Sequence, residues 1–260
     1  MNKNASRIWL PLLFLVLILG LWQFISSKAT IAFWVLPSPV AVLRVFWQQP
    51  ALLWTHLRPT LIASVAGLLL ATLLGVITAL GMHGSRVIRQ ILYPYLVVSQ
   101  TVPVISVAPL VVLWFGYGIS AKIFVVVLMC FFPIALGLFE GLKQVSQEQI
   151  RLLRSMGAGK WMIYRHLKIP ASLPAFFTGL RLAATYSVMG AVIGEWLGGE
   201  AGLGIYLTRS TKSFRTEQVF AAILIIILLS LFLFGIVALL DRLLLGWHYK
   251  KIDEYEDPSR

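Results

Sequence analysis

Long apolar runs separated by short basic stretches dominate the chain. They cover residues 8–25, 59–82, 88–115, 120–142, 175–197 and 219–245. A hydrocarbon core about 30 Å thick needs roughly 20 apolar residues per helical crossing, so each run is long enough to span it. The pattern predicts an all-α membrane protein: a six-span helical bundle forming one domain over residues 1–260. The first run exceeds the apolar part of a signal peptide and precedes a membranous chain, so it is read as a retained span. The third contains Pro94, Pro103 and Pro109 and is expected to be broken.

Two of the connecting stretches carry helix signals of their own. In Leu36-Pro37-Ser38-Pro39 a serine cap precedes a proline at the first helical position, predicting a short helix over 39–49. Between the fourth and fifth runs, Ser146 and Gln149 have the spacing of a capping box, so a helix should start near Gln147. Gly157 should close it, because glycine tolerates the left-handed conformation there, and Gly157-Ala158-Gly159 permits a sharp turn. A second helix is expected over 160–167 and is expected to end at Ile169-Pro170. The resulting hairpin carries Leu152, Leu153, Met156, Trp161 and Ile163 among Arg151, Arg154, Lys160, Arg165 and Lys168. Such an apolar ridge among cations suits insertion into a partner's groove and equally suits a helix resting on lipid headgroups.

Composition narrows the function. Hydrophobic residues make up 59% and charged residues 12%, and the net charge is +12 with no acidic residue before Glu140. The cations flank apolar runs rather than cluster on a soluble face, which argues for an orientation signal and against a nucleic-acid partner. Fourteen lysines and arginines fall on the side holding both termini and the 143–174 loop, against seven on the other, so that side is expected to be cytoplasmic. Cys130 has no second cysteine to pair with, and His56, His83, His166 and His248 show no metal-ligand spacing. The stretch 154–161 fails the phosphate-loop pattern, having Arg154 for the first glycine and Trp161 for the final hydroxyl residue. No catalytic pair and no cofactor are expected, so any ATP hydrolysis belongs to another chain.

Polar side chains within the apolar runs are candidates for a solute pathway. They are Ser99, Gln100, Thr101 and Ser106 in the third run and Thr185, Tyr186 and Ser187 in the fifth. Their hydroxyls and amides offer hydrogen bonds to a polar solute without the desolvation cost of a fixed charge. The alternative is bonding to their own backbone or to a neighbouring helix. Pro103 and Pro109 are candidate gate elements, as are Arg181 and Glu195. Arg181 must snorkel, pair or face water, because a cation held at mid-membrane costs about 2.5–3.5 kcal/mol. Glu195 near a span end has two readings, gate element or solvated carboxylate.

The hairpin resembles the cytoplasmic signature of ABC importer permeases: a Glu-Ala-Ala triplet, then glycine, then Ile/Leu-Pro. Gly157 and Pro170 sit at that interval, and Val145, Glu148, Arg154, Ala158, Trp161, Ile169 and Leu173-Pro174 agree with it. The triplet departs, holding Arg151, Leu152 and Leu153. The similarity extends along the chain through Leu36-Pro37-Ser38-Pro39, Pro94, Val102-Pro103, Pro109-Leu110, Leu113-Trp114-Phe115-Gly116, Gly179-Leu180-Arg181, Glu195 and Gly202-Leu203-Gly204. These residues resemble the nitrate, sulfonate and taurine branch, and Gly198-Gly199 through Arg215 resembles permeases for a pyrimidine precursor of thiamine. The resemblance implies a type I importer permease in the bacterial inner membrane that pairs with a second copy as a homodimer. It implies an ATPase dimer docked on a coupling helix through Arg151, Leu152, Leu153, Arg154, Met156, Gly157, Ala158, Lys160, Trp161 and Pro170. A periplasmic or lipid-anchored binding protein would deliver the small-molecule solute. An ion-coupled secondary transporter is the rival, and it would need the intramembrane acids missing before Glu140.

Overall fold

The computed structural model describes residues 3–28, 35–196 and 198–246; Leu197, His248 and the tail 250–260 lie outside them. Every regular element in those residues is helical. In chain order they are α1 (Lys3–Ser27), α2 (Pro39–Gln48), α3 (Pro50–Gly84), α4 (Arg86–Ser99), α5 (Val104–Phe115), α6 (Ile119–Lys143), α7 (Gln147–Ser155), α8 (Lys160–Ile163), α9 (Ile169–Trp196), α10 (Leu203–Lys212) and α11 (Thr216–Leu244). Four stretches are long and apolar enough to cross a bilayer: Pro50–Gly84, Ile119–Lys143, Lys160–Trp196 and Thr216–Leu244. The pair α4 and α5 qualifies together, bent by 106° at its break.

The directions of the neighbouring helices show what that bent pair does. Helices α3 and α6 run side by side in the same direction, Gly67 against Val126 and Gly75 against Ile134. Helix α9 runs opposite to α6: Lys122 lies near Glu195, and further along Cys130 Sγ is 3.2 Å from the Ala183 carbonyl. Because α3 ends at one end of the bundle and α6 begins at the other, the segment between them must return the whole way. Its contacts agree, with Tyr93 beside Phe139 and Phe115 stacked on Phe124 at 4.8 Å. Thus α4 and α5 form one broken crossing and not a re-entrant loop. The break falls at 100–103, where Thr101 and Val102 bond back to Val98 and Ser99 and Pro103 has no N–H to continue the ladder. Pro94 and Pro109 sit inside their helices.

Small side chains occupy the closest approaches. Ala63, Ala71, Ala183, Ala184 and Ala191 are fully buried, while long rows of leucine, isoleucine and phenylalanine face outward. Lipid tails are as apolar as leucine, so helices associate through tight packing, which small residues allow.

Two span boundaries differ from expectation. Helix α3 begins at Pro50 and passes through Pro59 instead of starting there. Pro50 occupies the first turn, where a missing N–H costs nothing, and burial of Leu53 and His56 rewards the extra turns. The fifth span does not wait for Ala175: α8, a five-residue π-helical turn at Tyr164–Lys168 and α9 form one continuous helix. Pro170 therefore does not end the hairpin's second helix. Its ring would clash with the carbonyl four residues back, and the wider π-turn, in which the Ile169 N–H reaches Tyr164, removes the conflict.

Helix α10 was not legible as an element. The 195–215 segment turns back into the bundle and buries Leu203, Ile205 and Tyr206. Its far end closes at Phe214 with φ 56°, the only non-glycine residue with positive φ among those described. Left-handed backbone costs a residue with a Cβ about 1–2 kcal/mol.

Candidate functional site

Three places gather the chemistry. The first is the hairpin at the end of the bundle where α3 stops and α9 starts. Ser146 Oγ accepts the Gln149 N–H at 3.3 Å, and the Gln149 side chain accepts the Ser146 N–H at 3.3 Å, completing the capping box. Helix α7 then closes by paired bonds, Ala158 N–H to Leu153 O at 2.9 Å and Gly157 N–H to Arg154 O at 3.0 Å. Gly157 supplies the left-handed residue at φ 81° that this closure requires. Inside the hairpin Val145, Ile150 and Ile163 form a small core with Leu153, Ala158 and Leu167. Outside it Leu152, Met156 and Trp161 are 62%, 75% and 71% exposed, and Arg151, Arg154 and Lys160 surround them. Burial thus divides the ridge, turning Leu153 and Ile163 inward. Lys168 within the π-turn lies 2.9 Å from His83 Nε2, tying the hairpin to the last turn of α3.

At mid-bundle, an open cleft of about 510 Å³ lies beside the α4–α5 break. Ser99, Gln100 and Tyr186 line it together with Met129, Phe132 and Met189. No lysine or arginine is among its lining residues. The other expected pathway residues fall elsewhere. Ser187 is fully buried and donates to the Ala184 carbonyl, Thr185 to Leu182 and Thr101 to Val98, while exposed Ser106 lies outside the cleft. Each bonded hydroxyl has satisfied itself on its own helix, as serine and threonine commonly do. Along the same faces of α4 and α6, nearer the hairpin, Arg89, Gln90, Tyr93, Phe139 and Lys143 line a second cleft of about 410 Å³.

At the opposite end, Glu195 is completely buried and so is not a solvated carboxylate. Thr60 donates to its Oε1 at 2.8 Å, the Gly204 N–H to its Oε2 at 2.9 Å, and Lys122 Nζ stands 3.7 Å away. Thr60 in turn accepts the Leu203 N–H at 2.9 Å, Lys122 donates to the Ala201 carbonyl at 2.7 Å, and His56 Nδ1 meets the Gly202 carbonyl at 3.0 Å. A Cβ at Gly202, which has φ 146°, would collide with the Glu195 carboxylate. The carboxylate therefore sits at the start of α10, where free N–H groups and the helix dipole favour negative charge. Burial pushes the Tyr206 phenol in α10 above its ordinary value. Lys122 is part of this anchor, not a loop cation. Arg181, about one-third exposed, pairs with buried Asp241 of α11 at 3.2 Å and does not reach out of the bundle. Thr60, Lys122, Gly202 and Asp241 were missed because each acts on a partner far away in sequence.

The comparisons with known proteins agree with this architecture. Residues 71–246, more than half of the chain, match the family described as binding-protein-dependent transport system inner membrane component. The chain is 40% identical to the formylaminopyrimidine transport permease protein ThiX of Halalkalibacterium halodurans, covering 96% of this chain and all of that one. It is 35% identical to the riboflavin transport system permease protein RibX of Chloroflexus aurantiacus, over 90% of this chain and 88% of that one. Identity to the taurine transport system permease protein TauC of Escherichia coli is 30%, with the same coverage of both chains. With its crossing helices and full-length likeness to ABC transporter permeases, the chain belongs to the binding-protein-dependent transport system inner membrane component family.

Proposed function

We propose that this chain is the translocating subunit of an ATP-driven importer, working as a pair of identical copies. The hairpin end faces the cytoplasm, α1 supplies a sixth crossing, and both termini lie on that side. The cation bias supports this orientation, and it strengthens once Lys122 is removed from the outer count as a buried anchor. A cytoplasmic ATPase dimer grips Leu152, Met156 and Trp161 within the ring formed by Arg151, Arg154 and Lys160. An external solute-binding protein delivers the cargo.

One observation carries the reading. The exposed half of the docking ridge at Trp161 belongs to the same continuous helix, Lys160–Trp196, that lines the mid-bundle cleft with Leu182, Tyr186 and Met189. A push on the ridge therefore reaches the pathway without crossing a flexible joint, as a rigid-body switch between two states requires. The departure from the Glu-Ala-Ala triplet suits this division of faces, since Leu152 points outward and Leu153 into the hairpin core.

For the solute, the cleft favours an uncharged aromatic heterocycle of the pyrimidine-precursor kind over a sulfonate or nitrate. Aromatic and thioether side chains offer stacking, the Gln100 amide offers hydrogen bonds, Ser99, which donates to the Leu96 carbonyl at 3.0 Å, offers an acceptor, and the lining has no cation to neutralise an anion. The likeness to the formylaminopyrimidine permease points the same way. To test the orientation, a cysteine replaces exposed Ser155 in a chain carrying Cys130→Ser. A membrane-impermeant maleimide is expected to label it in inverted vesicles and not in intact cells. Labelling in intact cells sinks the assignment.

A further inference from the structure

Two long helices run from the hairpin end of the bundle to the opposite end, and they are tied to each other at both. One is the continuous helix Lys160–Trp196, the other is α3, Pro50–Gly84. At the α9–α10 junction Thr60 of α3 donates to Glu195 at 2.8 Å and accepts the Leu203 N–H at 2.9 Å, while His56 meets the Gly202 carbonyl at 3.0 Å. At the hairpin end Lys168 Nζ stands 2.9 Å from His83 Nε2, and the His83 ring lies beside Tyr164 with centroids 5.9 Å apart. An ammonium can only donate, so Nε2 is the unprotonated acceptor of a charge-assisted bond. At a rise of about 1.5 Å per residue, His83 and Thr60 are about 35 Å apart along α3, more than the roughly 30 Å of a bilayer core.

Neither His83 nor Lys168 needs the other for its own sake. At the end of a span a lysine reaches water or headgroups along its aliphatic stem, and an imidazole presents its polar edge in the same way. Both are instead half-buried and turned on each other. Two rods joined at one end can still slide past each other, the shear by which packed helices shift. Joined at both ends, they move together. We infer that His83 is a positioning residue for the ATP-driven switch: by accepting Lys168 it makes α3 follow the hairpin. A push on the hairpin then reaches the α9–α10 junction along α3 as well as along α9. This inference rests on the importer reading proposed above.

The test uses the complete permease–ATPase complex in lipid nanodiscs, with a spin label on each copy at exposed Lys212 of α10, introduced as K212C in a chain carrying C130S. The distance between the two labels is measured without nucleotide and with a non-hydrolysable ATP analogue bound. H83F keeps a ring beside Tyr164 but offers Lys168 no acceptor. It is expected to cut the nucleotide-driven change in label distance at least two-fold, with the thermal midpoint and ATPase co-purification at parental values. H83Q offers Lys168 a carbonyl oxygen and should restore the change. K168M should match H83F, and H83F/K168M should be no worse than either alone, because each removes the same bond. A full parental change in H83F overturns the inference, as does a double variant whose loss is the sum of the two. Failure of H83Q to restore the change overturns it too. So does loss of the ATPase from H83F together with a lowered thermal midpoint, which would make the bond a structural support of the docking hairpin. If the parent complex binds the analogue with no change in label distance, the importer reading itself fails and takes this inference with it.

Discussion

The hairpin at one end of the bundle and the α9–α10 junction at the other are built on opposite plans. The hairpin is held by bonds that span a few residues, those of the capping box and the Gly157 closure, over a core of a few side chains. Most of its functional surface stays exposed. The junction is held by side chains more than a hundred residues apart, with Glu195, Thr60 and His56 all buried. A surface that must engage and release a motor gains from being locally formed and separable from the core. A junction that must keep its shape while spans move gains from burial, where an unmet charge or N–H is costly.

The largest expected break in this contrast lies at the buried end. Glu195→Ala leaves Lys122 without its carboxylate and the Gly204 N–H without an acceptor, and leaves the Thr60 hydroxyl only the His56 carbonyl at 3.2 Å. Removing one partner of a buried charge pair costs about 3–5 kcal/mol. The purified variant should show a much lower thermal midpoint in detergent, or fail to accumulate. A midpoint within a degree of the parent would show that the network is not an anchor.

At the hairpin the same kind of damage should stay local. Gly157→Val forces a β-branched residue into φ 81°, at a cost of about 1–2 kcal/mol or more that falls on the turn alone. Membrane insertion and the thermal midpoint of the spans are expected to persist while the ATPase subunit no longer co-purifies. An intact pull-down would show that the turn's shape is irrelevant to docking.

This contrast also explains what the sequence could tell. Ser38, Ser146, Gln149 and Gly157 were readable because a cap or a left-handed turn is settled by a side chain and its backbone neighbours within a few residues. The four long apolar helices and the bent α4–α5 pair were readable because membrane thickness imposes a length. The sequence leaves Glu195 between gate element and solvated carboxylate because its partners lie 135 residues away at Thr60 and 73 away at Lys122. At Arg181 the sequence allows snorkelling to the cytoplasm, pairing or contact with water, and only the packing of α11 on α9 identifies Asp241 as a partner. Pro170 misled because a proline read alone signals a helix end, while the π-turn that absorbs it depends on the continuous helix around it. The hydroxyls of the fifth run were ambiguous for a related reason: Ser187 and Thr185 bond to their own helix, and only Tyr186 between them faces the cleft.

The smallest expected effect on stability discriminates best between the two plans. Leu152 is 62% exposed, contributes nothing to the hairpin core and lies beside Leu153, which does. An exposed position away from caps and buried networks changes stability by about 0.5 kcal/mol or less, so Leu152→Glu should leave the thermal midpoint where it was. If the ridge is a docking surface, the same substitution places a carboxylate in a partner's apolar groove. Its desolvation has no compensating bond there, and ATPase association should fall at least ten-fold in a titrated pull-down. Leu153→Glu provides the matched control: it should lower stability as well as association, because its side chain supports the hairpin from within. If Leu152→Glu and Leu153→Glu behave alike, the exposed and buried faces of α7 are not functionally distinct, and the proposed grip on the outer face is wrong.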